Sequence, residues 1–185
     1  PQTPGNPDYR DRTPLPSQPA RPFVGTPLQL LRLFIAIELS DAARERLRGA
    51  VAVLRQQEVQ GVRWVRPEGS HLTLKFLGYA PSAQVPAIVE ALRTAVRGSV
   101  PFRLRIDGAG AFPNMRAPRV LWLGIAGDVE PLRVIQQRVE RSLEDIGCPR
   151  ETRAFSPHLT LGRISGRLSS QFLTTLSNGV ARLQR

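Results

Sequence analysis

Apolar residues recur along this chain at two spacings, which predict alternating strands and helices. Residues 33–37 are a nearly continuous apolar run, as expected of a strand buried on both faces. Ser40 or Asp41 can cap the helix that follows. The buried side of that helix is predicted from apolar residues at helical spacing, namely Leu47, Ala50, Val51 and Leu54. A short strand near residues 62–65 completes this first group of elements.

The next predicted strand covers residues 70–78 and contains the sequence His-Leu-Thr-Leu. Simple alternation puts His71, Thr73 and Lys75 on one face of the strand and the apolar side chains between them on the other. A helix follows, and Gly98 is suited to end it. The apolar face of that helix is predicted to comprise Val85, Val89, Leu92 and Val96.

The second half of the chain repeats this order of elements. Strands are predicted at 102–106 and 120–125, followed by a helix that Asp128 can cap. The apolar stripe of this helix is predicted to be Leu132, Ile135, Val139, Leu143 and Ile146. A second His-Leu-Thr-Leu strand begins at His158, and Ser169 can cap a last helix. The repetition predicts an internal duplication, in which two sheets face each other across a cleft and helices cover their outer faces.

Residues 1–30 lack any such pattern. Eight of the 17 prolines fall in this stretch, and proline at that density blocks both helices and central strands. We therefore expect a disordered, proline-rich tail at 1–30 and a folded domain of two lobes at 31–185. We expect neither a signal peptide nor a membrane anchor, because no apolar run reaches the roughly 18 residues of a membrane span.

The formal charge of +11, from 26 basic and 15 acidic residues, favours anionic partners, with nucleic acid first and a membrane surface second. Lys75 is the only lysine, so an arginine bias from a GC-rich genome explains the charge equally well. Cys148 is the only cysteine, which excludes an internal disulfide and fits a reducing, cytoplasmic location. The composition predicts no cofactor and no metal.

The chain has only two histidines, and both begin the same tetrapeptide. In a strand, His and Thr two residues apart project from one face, so two such strands present two imidazoles and two hydroxyls to one space. Imidazole changes protonation near neutral pH, so one ring can take a proton while the other gives one. Hydroxyls can donate to phosphate oxygens, and the set suits phosphodiester hydrolysis without a metal. A single such histidine is usually a surface residue, but the repetition argues against that interpretation.

With these motifs the chain resembles the two-histidine (2H) phosphoesterase superfamily, and within it the LigT-like RNA 2′,3′-cyclic phosphodiesterases. Further similar stretches lie at 32–37, 75–78, 110–114 and 118–122. The resemblance implies a bilobal LigT-like α+β fold with two antiparallel sheets. It implies hydrolysis of a terminal 2′,3′-cyclic phosphate on RNA to a 2′-phosphate, with reversible 2′-5′ ligation of tRNA halves. It also implies further strands after the last helix, so we expect the first sheet to have an open edge where this sequence ends.

The resemblance further implies a role for each motif residue. His71 would be the acid that protonates the 3′ leaving oxygen, and His158 the base that activates water. Thr73 and Thr160 would bind the phosphate. A basic residue five positions after the second histidine contacts the phosphate in this family, and Arg163 holds that position. Simple alternation puts Arg163 on the face opposite to the histidine, so this role requires a bulge.

Other residues and functions remain open at this stage. Lys75 can reach a substrate phosphate or lie as a solvated lysine at the rim. Phe112 can stack on a base or ribose, or anchor its loop inside the protein. Trp64 and Trp122 are expected in the core. Besides hydrolysis of RNA ends by a monomeric enzyme, the alternatives are a phosphodiesterase for a small cyclic nucleotide and a non-catalytic RNA-binding module.

Overall fold

The computed structural model describes residues 29–183 of the chain, and residues 1–28 of the predicted tail lie outside this range. The strands are β1 (Leu30–Glu38), β2 (Val62–Trp64), β3 (His71–Pro81), β4 (Leu104–Phe112), β5 (Val120–Gly127) and β6 (His158–Ile164). The helices are α1 (Asp41–Arg55), α2 (Val85–Val96), α3 (Val129–Glu144) and α4 (Ser170–Leu183). None of these helices is long and apolar enough to cross a membrane.

The strands form two antiparallel sheets, as predicted. Strands β1 and β3 form a two-stranded sheet, and the second sheet has the order β2-β6-β5-β4. Each sheet therefore contains one of the two His-Leu-Thr-Leu strands. Strand β2 comes from the first half of the chain but pairs with β6, so the two sheets do not correspond to the two halves of the sequence. The internal duplication stays a prediction.

Helices α2 and α3 pack together against the outer face of the two-stranded sheet. Their shared core consists of Ile88, Ala91, Ala95, Val139 and Leu143, with Leu33, Ile35 and Leu77 of the sheet packed against it. The predicted apolar face of α2 is therefore wrong in part: Leu92 packs against this core, but Val89 and Val96 are 39% and 48% exposed. The helix turns its alanines towards α3 because small side chains allow the two helices to approach closely.

Helices α1 and α4 cover the outer face of the four-stranded sheet, and the predicted buried side of α1 is confirmed. The shared core is rich in leucine and includes Leu47, Leu54, Leu121, Leu123, Leu159, Leu161 and Leu176. Two predicted caps are also confirmed: Ser40 Oγ accepts from the N–H of Ala43, and Ser169 Oγ from that of Phe172. The prediction for Asp128 is wrong, because its carboxylate accepts from the N–H of Arg103 instead of capping α3.

Candidate active site

A cleft of about 480 Å³ lies between the two sheets and is lined by side chains from both histidine strands. The first sheet contributes Arg32, Phe34, His71, Thr73 and Phe76, and the second contributes Arg63, His158, Thr160 and Arg163. The structure thus brings both imidazoles and both threonine hydroxyls to one space. The leucines between them point away from the cleft and are at most 7% exposed, which fixes the two strands in place.

Each histidine strand contains a β-bulge at the same position after its threonine. In β3 the extra residue is Leu74, and in β6 it is Leu161. A bulge reverses the alternation of side chains beyond it. Consequently the residue five positions after each histidine, Phe76 in β3 and Arg163 in β6, lines the cleft. The bulge that the prediction for Arg163 required is present.

The imidazole of His158 is held by its own backbone and by an aromatic neighbour. Its Nδ1 lies 2.7 Å from the carbonyl oxygen of Ser156. A carbonyl oxygen only accepts, so Nδ1 carries the hydrogen and Nε2 is the basic atom of the neutral ring. The ring of Phe112 meets this imidazole edge-on, with 4.9 Å between the centroids. Phe112 therefore packs against the histidine while it also lines a pocket beside it, and its stacking on a base or ribose stays a prediction.

Trp122 supports this arrangement from beneath. It pairs with Thr160 in the neighbouring strand, and its ring lies 5.3 Å from that of Phe112. A Cβ atom at Gly110 would come within 2.5 Å of the indole, so only glycine leaves room for the ring at this position. Trp122 is half-buried and lies outside the core cluster, which differs from the prediction, whereas Trp64 packs against the core as expected and also lines the cleft.

His71 is held by stacking instead. The ring of Phe34 lies nearly parallel to its imidazole, at an interplanar angle of 15° and a centroid distance of 4.3 Å. Phe34 is 44% exposed, and Phe76 lies 6.3 Å from it on the neighbouring strand. The side of the cleft around His71 therefore carries two phenylalanine rings from the first sheet.

Lys75 borders the cleft, but its ammonium group is buried behind the first sheet. Its Nζ donates to a carboxylate oxygen of Glu140 at 2.5 Å and to the carbonyl of Pro149 at 2.7 Å, and its side chain is 2% exposed. Glu140 also accepts from the amide of Gln136 and from the N–H of Glu151. Both interpretations of Lys75, as a phosphate ligand and as a solvated lysine at the rim, are therefore wrong, because the bulge turns this side chain towards α3.

The cleft has two arms, which differ in charge. We call one the arginine arm, defined by Arg32, Arg63, Arg66 and Arg163, whose lining contains no aspartate or glutamate. We call the other the aromatic arm, defined by Phe112, Phe155, Glu151 and Arg153. There the guanidinium of Arg153 binds the Glu151 carboxylate and lowers its pKa to about 2, so the two charges balance. Positive charge therefore concentrates in the arginine arm.

Several residues that line the cleft were not predicted for the site, among them Arg32, Phe34, Arg63, Arg66 and Phe76. One of them had a usable signal. Phe76 occupies the same position after its histidine as Arg163 does, so aligning the two motifs would have placed it in the cleft. Within residues 29–183, no three histidine, cysteine or acidic side chains gather in a way that could hold a metal ion.

Comparison with known proteins identifies relatives that span the paired-histidine region. The family model described as LigT like Phosphoesterase matches residues 37–122 and 123–185. A protein of Methanothermobacter thermautotrophicus named RNA 2′,3′-cyclic phosphodiesterase is 35% identical over 136 residues, which cover 74% of this chain and 72% of that protein.

Solved structures share the fold. The crystal structure of a Thermus thermophilus protein superposes with a TM-score of 0.65 at 30% identity, covering 75% of this chain and 79% of that one. The crystal structure of E. coli LigT complexed with 3′-AMP superposes with a TM-score of 0.61 at 30% identity, covering 76% of this chain and 78% of that one.

Proposed function

Because the chain belongs to the LigT-like phosphoesterase family, we propose that it hydrolyses the terminal 2′,3′-cyclic phosphate of RNA to a 2′-phosphomonoester. The observation that carries this proposal is the pairing of two imidazoles and two threonine hydroxyls in one cleft, beside an arm lined by arginine. Relatives named RNA 2′,3′-cyclic phosphodiesterase that are 35% and 36% identical to this chain support the same reaction.

The reaction divides between the two histidines. Nε2 of His158 takes a proton from water as the water oxygen attacks phosphorus. The bond from phosphorus to O3′ breaks, and His71 gives its proton to that oxygen. The product carries a free 3′-hydroxyl and a 2′-phosphate. Thr73 and Thr160 donate to the non-bridging oxygens, and Arg163 balances the charge that builds on them.

Two contacts support this assignment of acid and base. The carbonyl of Ser156 fixes the tautomer of His158 and leaves Nε2 as its proton acceptor. The ring of Phe34 stacks on His71, and an aromatic face attracts a cation. This stacking holds the imidazole of His71 in one orientation, from which it can give its proton to the leaving oxygen.

The substrate would be RNA with a cyclic phosphate end, such as tRNA halves, and the enzyme a monomer in the cytoplasm. The reverse reaction, in which a 5′-hydroxyl replaces water, would give 2′-5′ ligation, and this activity stays a prediction. E. coli LigT complexed with 3′-AMP is 30% identical to this chain, and its bound nucleotide supports a nucleotide-sized ligand here.

The test is to incubate the protein with a short RNA that ends in a 2′,3′-cyclic phosphate, with excess chelator present, and to identify the product. We expect a 2′-phosphate with the wild type and at least about 100-fold slower turnover with His71→Ala and with His158→Ala. Far-UV circular dichroism checks that both variants are folded. RNA binding without turnover in the wild type would support a binding module instead, and a 3′-phosphate product would refute the assignment of the leaving oxygen.

A further inference from the structure

The arginine arm extends well beyond the residues that the hydrolysis needs. Arg63 lies directly opposite Arg163, on the neighbouring strand of the second sheet, and both line the cleft. Arg66 follows three residues later, which is about 10 Å further along an extended backbone. Because β2 runs antiparallel to β6 and the N–H of Val65 donates to the carbonyl of Leu161, Arg66 lies towards Thr160, and the arm follows β6 from Arg163 back to its threonine.

None of these guanidinium groups is held in an ion pair, although the charge of Arg66 also acts on the nearby carboxylate of Glu68, which is itself paired with Arg48. Within residues 29–183, Arg32, Arg63, Arg66 and Arg163 form no ion pair and donate no side-chain hydrogen bond to another residue. Four like charges beside one another repel, so an arm of this composition gains stability when an anion binds. One cyclic phosphate carries a single charge and cannot balance four arginines.

The covalent structure of the substrate shows which group carries the next negative charge. A 2′,3′-cyclic phosphate occupies both the 2′ and the 3′ oxygen of the terminal ribose. The RNA can therefore continue only through the 5′ oxygen, and the next negative charge is the internucleotide phosphate on that side. Guanidinium groups bind such phosphates through two parallel hydrogen bonds.

Resting on the proposed function, we propose that Arg63 and Arg66 form a second phosphate subsite, which binds the internucleotide phosphate on the 5′ side of the cyclic end. The enzyme then prefers an oligonucleotide to a mononucleotide that carries the same cyclic phosphate. The aromatic arm is a poorer place for this phosphate, because Glu151 already balances the charge of Arg153.

The experiment compares kcat/KM for a nucleoside 2′,3′-cyclic phosphate and for a trinucleotide with the same terminal nucleotide. The variants are Arg63→Gln, Arg66→Gln and the double variant. Arg97→Gln, an exposed arginine at the C-terminal end of α2, is the matched control. We expect the wild type and the control to prefer the trinucleotide at least about tenfold, and the double variant to show no such preference.

Salt provides a second measurement that folding defects would not reproduce. For single-stranded nucleic acid, each phosphate that a protein neutralises adds about −0.7 to the slope of log affinity against log salt. For the trinucleotide, we expect a steeper slope with the wild type than with the double variant. The difference should be about 0.7 if Arg63 and Arg66 together neutralise one phosphate. Hydrolysis of both substrates at equal kcat/KM, or an unchanged preference in the double variant, would overturn the subsite and leave the proposed function intact. Hydrolysis of neither substrate by the wild type would overturn both.

Discussion

Replacing Lys75 by methionine would leave the carboxylate of Glu140 buried without its cation. The two side chains are 2% and 7% exposed, and their charged atoms lie 2.5 Å apart. Removing one partner of a buried ion pair typically costs about 3–5 kcal/mol, since the remaining charge can neither reach water nor find another partner. Methionine has a similar length and fills the same space, so little of the effect would come from a cavity. We expect Lys75→Met to lower the free energy of unfolding by about 3–5 kcal/mol at pH 7.

The double variant Lys75→Met with Glu140→Leu separates the charge effect from the packing effect. It removes both charges. The amide of Gln136 keeps the carbonyl of Leu74 as an acceptor at 3.5 Å, so the N–H of Glu151 is the donor that loses its acceptor. An unsatisfied buried donor costs about 1–3 kcal/mol, which is less than an uncompensated charge. The double variant should therefore be more stable than Lys75→Met alone.

Urea unfolding followed by circular dichroism measures these differences, provided that the slope of the transition stays constant. A surface pair supplies the comparison: Arg93→Met removes an ion pair with Glu90 in which both side chains are more than 60% exposed, and should change stability by less than about 1 kcal/mol. A decrease below about 1 kcal/mol for Lys75→Met would refute the reasoning. A double variant that is less stable than Lys75→Met alone would also refute it.

Three further predictions concern the cleft. Gly110→Ala should lower stability by about 1–3 kcal/mol in urea unfolding, because its Cβ would overlap the indole of Trp122. Gly49→Ala, with open space around it, should be neutral or stabilising. Equal effects of the two changes on stability would contradict this account. Phe34→Leu should lower kcat more than it raises KM, because it removes the ring that is stacked on His71. Steady-state kinetics that show an effect on KM alone would assign the ring to substrate binding instead. The rate of hydrolysis should follow a bell-shaped pH profile with its maximum between about pH 6 and 8, because one histidine must be protonated and the other neutral. A flat profile over this range would exclude the two-histidine mechanism.

The parts of the fold that were predictable depend on residues close together in sequence. The buried side of α1 and its Ser40 cap follow from local periodicity and from a side chain that reaches the first turn. The buried face of α2 does not, because the choice between its valines and its alanines depends on how closely α3 approaches. A sequence shows which residues are apolar, but the partner helix decides which of them fit.

In the active site, too, only the residues whose positions depend on local sequence were predictable. The paired motifs were enough to bring His71 and His158 together, because each lies before the bulge of its strand. Residues after the bulge were harder, since a bulge depends on the pairing with a neighbouring strand. Lys75 was placed on the wrong face for this reason. Arg63 could not be singled out at all in an arginine-rich chain, because only its pairing with Arg163 distinguishes it.

The pairing of β2 with β6 has a consequence for how the protein moves and unfolds. With α1 and α4 on the four-stranded sheet and α2 and α3 on the other, the described chain crosses from one lobe to the other five times. A hinge that opens widely would have to bend all five crossings at once. The lobes should therefore melt in one cooperative transition and resist separation into complementary fragments. Substrate enters a cleft whose width is set when the chain folds, and the histidines are already in position when it arrives.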